Sequence, residues 1–177
     1  MGALCAAPVI ASYVSYYFVR PEGRTNYGEL LQTRPLPEAR LHLVDGSAFE
    51  LSQLRGKWLL LMVDSGGCDD YCQRKLFTLR QLRLTQGKDS NRIERVWLIN
   101  DDAVPSAATI SPFQGTWLAR AAGSDLLAQL PAEHSAAVDY IYLIDPLGNL
   151  VLRYPRGADP SGIIKDLTHL LSVSGIG

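Results

Sequence analysis

Apolar runs punctuate this chain at intervals that suit a sheet layered with helices. Residues 58–63 (WLLLMV) are apolar without alternation, as a strand covered on both faces should be. The same signal predicts strands at 95–100 (RVWLIN) and 140–144 (YIYLI), and a shorter one at 42–44. Asp145-Pro146-Leu147-Gly148 is a turn signal, so residues 149–154 should return as the second arm of a hairpin. Residues 49–54 predict a brief strand or helical turn, closed by Arg55-Gly56-Lys57.

Helical spacing fills the intervals. Cys72, Leu76, Leu79 and Leu82 recur every three or four residues, leaving Arg74, Lys75 and Arg80 for the wet face. A helix is therefore predicted from Cys68 to about Gln86, with Gly87 ending it. Residues 116–130 predict helix in pieces, interrupted at Gly123, between loops at 101–113 and 131–137. Asp159-Pro160 supplies an aspartate N-cap followed by proline at the first helical position, so the last helix should run over 160–171. The resulting order is an α/β fold, a sheet with helices on both faces, in the layout of a thioredoxin-like domain.

The first residues differ in kind. Residues 2–19 carry no charge, end abruptly at Arg20, and place Tyr13, Tyr16 and Tyr17 near the charged end. A membrane anchor over 1–20 is expected, although a full span needs about 20 apolar residues. The alternative is a buried helix packed on the domain. Residues 21–40 hold Pro21, Gly23, Gly28, Pro35 and Pro37 and predict a linker leading into a domain at 41–177.

Composition narrows the function. A net charge of -1 gives no global field to draw nucleic acid. Three cysteines exclude a disulfide-rich scaffold. Two of them, Cys68 and Cys72, follow Asp64-Ser65-Gly66-Gly67 at the carboxyl end of the central strand, the edge where α/β sheets gather ligands and chemistry. Free helix N–H groups there favour a thiolate, and Asp69 and Asp70 oppose it. The pair is too small for a complete zinc site. It could form a reversible disulfide, hold a soft ion such as Cu(I), or pack as inert side chains. Of the three histidines, His134 lies in the loop leading back to the cysteine edge and is the candidate third ligand. His42 and His169 are poorer placements, and Asp139 is a weaker competitor.

These residues carry a resemblance. Leu54-Arg55-Gly56-Lys57-Trp58 followed by LLLMV, Cys68-Asp69-Asp70-Tyr71-Cys72, and Tyr142-Leu143-Ile144-Asp145-Pro146-Leu147-Gly148 are similar, in order and spacing, to motifs of the SCO/SenC family. So is Gly28-Glu29-Leu30-Leu31 with Pro35-Leu36-Pro37. The likeness covers about residues 27–171. It implies a thioredoxin-like domain that helps assemble the copper site of cytochrome c oxidase, anchored in the bacterial inner membrane and facing the periplasm. It implies copper, as Cu(I), on Cys68 and Cys72. The chain departs from the family pattern at Asp69 and Gln73, where prolines are usual, and at Ala137, eight residues before Asp145, where the family has its copper-binding histidine.

Three functions follow. One is a membrane-anchored assembly factor that binds or delivers copper, or reduces a client's copper-site thiols, the partner being a cytochrome c oxidase subunit or another copper or thiol protein. The second is a general thiol-disulfide oxidoreductase. The third is a non-catalytic thioredoxin-like interaction module.

Overall fold

A computed structural model describes residues 26–133 and 135–176. The expected anchor over 1–20 and His134 lie outside the described residues. Eight strands form one sheet among the described residues, in the order β1-β8-β7-β4-β5-β6-β2-β3. They are β1 (Glu29–Pro35), β2 (Leu41–Leu43), β3 (Ala48–Phe49), β4 (Trp58–Asp64), β5 (Ile93–Ile99), β6 (Thr116–Arg120), β7 (Tyr140–Ile144) and β8 (Asn149–Pro155). The helices are α1 (Asp70–Leu84), α2 (Ala107–Ile110), α3 (Asp125–Ala128) and α4 (Pro160–Val173).

The apolar run at 58–63 is the centre. All seven residues of β4 are buried, and the strand pairs parallel with β5 and antiparallel with β7. Its side chains divide between two cores, as the pleat requires. Leu60 and Met62 face α1 and α4 together with Leu76, Leu79, Trp97, Leu143 and Leu167. Leu59, Leu61 and Val63 face the opposite layer, built by Phe49, Leu126, Leu130 and Tyr142. The expected hairpin is present as β7 and β8. Asp159 caps α4 as expected, accepting from the Ser161 amide at 3.0 Å, with proline following it.

Within the sheet, two expectations change. Thr116–Arg120 is a strand, not helix, and only Asp125–Ala128 is helical in that stretch. Gly115 (φ 81°) and Gly123 (φ 70°) turn the chain in the left-handed region on either side of β6, and β5 offers a ladder that β6 completes in parallel. The second change lies within 21–40, where β1 pairs antiparallel with β8 at the sheet edge.

Asp166 holds the approach to β1 in place. It is buried on α4 and accepts from the Tyr27 and Gly28 amides, both at 2.8 Å, and from the Tyr154 hydroxyl at 3.2 Å. Gly28 is needed here, because a Cβ would sit 2.5 Å from the Tyr154 ring. Asp166→Ala strands two backbone donors and is expected to cost about 1–3 kcal/mol, read from the chemical denaturation midpoint. An unchanged midpoint would show that this latch contributes nothing.

Candidate functional site

The cysteine site is assembled where β4 leaves the sheet. The Asp64 carbonyl accepts from the Asn100 amide at 3.1 Å and from the Trp97 indole N–H at 3.3 Å, so the end of β4 stays tied to β5. Ser65-Gly66-Gly67 then runs against residues 101–103. The Gly66 amide donates to Asp101 Oδ1 at 2.9 Å, and a Cβ on Gly66 would lie 2.0 Å from the Ala103 carbonyl oxygen. Only glycine fits that approach. The Ser65 hydroxyl, then the Gly66 and Ala103 amides, hold the Asp101 carboxyl below the usual carboxylate range.

Cys68 sits outside the helix. Its φ of 41° is the one non-glycine value in the left-handed region among the described residues, and its amide donates to the Ser65 carbonyl at 3.1 Å. The helix starts at Asp70, not at Cys68 as the spacing predicts, because Asp69 is its N-cap and accepts from the Cys72 amide at 2.9 Å. One of the helix N–H groups at this end, the Cys72 amide, is thus taken by the Asp69 carboxylate. Cys68 and Cys72 are 4% and 0% exposed and are joined by a disulfide, with Cα atoms 5.1 Å apart.

Lys75 corrects the sequence reading most sharply. It is buried rather than on the wet face, and its ammonium lies 2.7 Å from Asp64 Oδ2. It donates to the Val63 carbonyl at 2.8 Å and to the Val138 carbonyl at 2.6 Å. Burial pushes the pKa of Lys75 down, and the hydrogen bond and charge of Asp64 oppose that shift. Sequence reasoning missed this pair; the available signal was an acidic residue closing an apolar strand and a lysine one helical turn after Cys72.

A cavity of about 180 Å³ adjoins the start of α1, lined by Tyr71, Arg74, Lys75, Asp139, Tyr154 and Arg156 among others. The Arg156 guanidinium lies 3.8 Å over the Tyr71 ring and pairs with Asp139 at 3.1 Å. Asp139 is also hydrogen-bonded by Ser135, so it is engaged rather than offered as a ligand. His42 is exposed on β2, three strands from β4 in the sheet order, and His169 is exposed on α4. Ala137 lies in the single turn before β7, next to Val138. Among the described residues, no three or more His, Cys, Asp or Glu side chains gather into a metal-holding group. No helix among them is long and apolar enough to cross a membrane.

Similar folds are found in several solved structures. Copper-bound yeast Sco1 is 17% identical, with a TM-score of 0.65, covering 81% of this chain and 96% of that one. Copper-bound Arabidopsis thaliana ScoI is 17% identical, with a TM-score of 0.63, covering 80% and 100%. Copper-bound Bradyrhizobium japonicum ScoI is 19% identical, with a TM-score of 0.59, covering 77% and 99%. No curated protein matches the sequence. Residues 58–174, from the first residue of β4 to just past α4, match the family described as the transmembrane-like, thioredoxin-like, C-terminal domain. That stretch holds the central strand, the cysteine helix and the closing hairpin, and by it the chain belongs to this family of thioredoxin-like domains.

Proposed function

We propose that this chain is a thiol protein of copper-site assembly, acting through Cys68 and Cys72. The observation that carries the reading is the meeting of two buried sulfurs at the carboxyl end of the central strand. Reduced, they offer two soft donors of the kind Cu(I) prefers, with copper as cargo rather than resident cofactor. Alternatively, the dithiol passes its electrons to a client's disulfide. The fold likeness to copper-bound Sco proteins supports the same direction. The client is a cytochrome c oxidase subunit or another copper or thiol protein. The uncharged run at 2–19 serves as the anchor in the bacterial inner membrane, with the domain in the periplasm. His134 is the proposed third ligand.

Anaerobic Cu(I) titration of the reduced chain against a competing chelator tests this. One Cu(I) should bind, and Cys68→Ser/Cys72→Ser should lose it. Binding no tighter than that of the double variant overturns the copper reading. His134→Ala should weaken binding at least tenfold, about 1.4 kcal/mol; parent-like affinity would leave a bare dithiol.

A second reading is a general thiol-disulfide oxidoreductase. It is favoured by the closed disulfide. Turnover of a small disulfide substrate by the reduced chain, with no Cu(I) binding, would select it.

A further inference from the structure

Arg95 is a buried charge without a counter-charge. It lies on β5 between Ile93 and Trp97, on the face of the sheet turned to α1. It is 4% exposed. Its Nη2 donates to the Gln114 carbonyl at 2.7 Å. Its Nε and Nη1 are buried and have no hydrogen-bond partner among the described residues. An arginine is almost never fully buried unless paired, because an uncompensated charge in a core is destabilising.

The neighbours add to the imbalance. Glu94 belongs to the opposite face of the sheet, where its Oε2 accepts from the Trp117 indole at 3.2 Å. Burial, then the charges of Arg83 and Arg80, push the pKa of Arg95 down. Arg80 and Arg83 are one turn apart on α1 and share a helix face. Arg83 Nε donates to the Ile93 carbonyl at 2.8 Å, which sets it against β5 two residues before Arg95. None of the three arginines makes an ion pair among the described residues. The turn at 113–115 closes the other side. The Thr116 hydroxyl donates to the Phe113 carbonyl at 2.8 Å, and a Cβ on Gly115 would lie 3.2 Å from Arg95 Nη2. Exposure falls in steps from exposed Arg80, through half-buried Arg83, to buried Arg95.

We propose that Arg80, Arg83 and Arg95 form a binding site for a phosphate-type oxyanion. The orphan donors of Arg95 need acceptors, and three cations without a carboxylate need negative charge. A phosphate group supplies both, and the guanidinium fork matches its oxygens. Arg83 lies eleven residues beyond Cys72, about 16 Å along α1, so the site is separate from the sulfurs and does not rest on the thiol reading. Free phosphate and the phosphodiester of a lipid headgroup share this chemistry, and the experiment separates them.

The test is calorimetric titration of the full chain at constant ionic strength, with inorganic phosphate and, separately, with glycerophosphoglycerol, a headgroup phosphodiester without acyl chains. One phosphate should bind saturably with a Kd of about 1 mM or tighter, and phosphate should raise Tm above that in matched chloride. Arg95→Met should lose both responses. Arg80→Gln, at an exposed position that the fold does not need, should weaken binding about threefold. Arg40→Gln, an exposed arginine elsewhere that pairs with Glu50, should change nothing. A diester bound as tightly as phosphate assigns the site to a lipid headgroup, and at least tenfold preference for phosphate assigns it to the free anion; either supports the proposal. No saturable binding of either probe by the parent overturns it. So does binding that Arg95→Met and Arg80→Gln leave unchanged. If Arg95→Met does not fold, Arg80→Gln against Arg40→Gln decides: equal affinities refute the site.

Discussion

Trp97→Ala is expected to cost about 3–5 kcal/mol of stability, the range for truncating a fully buried large aromatic. Trp97 is 1% exposed on β5 and lies in the core shared by Met62, Cys72 and Leu76. It is the largest fully buried side chain among the described residues, so the cavity left behind would open beneath the cysteine helix. The indole also donates to the Asp64 carbonyl, but that carbonyl keeps the Asn100 amide at 3.1 Å. Volume should therefore dominate over the hydrogen bond. Trp97→Phe, which loses the donor and keeps most of the ring, should recover most of the loss. Chemical denaturation with both variants checks this. A cost below about 1 kcal/mol for Trp97→Ala would mean that the site does not rest on this packing.

Gly66→Ala is expected to disrupt the loop ahead of Cys68, at about 1–3 kcal/mol or more, because the new methyl meets a backbone carbonyl that cannot rotate away. The conflict is with the Ala103 oxygen, 2.0 Å from the added carbon. Relief requires residues 65–67 to move off Asp101, which breaks the hydrogen bond from the Gly66 amide. Gly67→Ala is the control. Its nearest neighbour is the Ser65 hydroxyl at 3.3 Å, a side chain able to give way. Denaturation midpoints should fall for the first variant and barely move for the second. In the reduced chains, alkylation of Cys68 and Cys72 should quicken only in Gly66→Ala. Equal behaviour of the two variants would show that the close approach does not shape the site.

The parts of the fold that were legible carry their information locally. β4, β5 and the β7–β8 hairpin show as uninterrupted apolar runs because both faces of those strands are covered, so every side chain on them reports burial. The start of α4 was legible for a different local reason: an aspartate and a proline meet the demands of one helix end by themselves. The cysteine pair was legible as a pair, since its two sulfurs sit four residues apart after a strand and a glycine pair and do meet in a disulfide.

What escaped the sequence depends on partners far along the chain. β1 is an edge strand with mostly exposed residues, and its pairing with Arg153 and its neighbours spans more than a hundred residues. No clear apolar pattern marks a strand whose residues are mostly exposed, with Leu31 packed on the core. β6 became a strand because β5 presented an unpaired ladder, and propensity yields to such a tertiary partner. The helix start moved from Cys68 to Asp70 because Asp69 was free to cap it and Cys68 could be turned out of helical backbone. Thus the sequence by itself determined the central strands, the closing hairpin, the last helix and the two sulfurs. Only tertiary structure decided the edge strands and the environment of those sulfurs. A lysine in a helix reads as solvent-facing by default, since a buried charge is tolerable only when compensated. The compensation for Lys75 comes from Asp64 on the neighbouring strand and from Val138, 63 residues later, contacts that exist only once the sheet and the loop before β7 have closed around it.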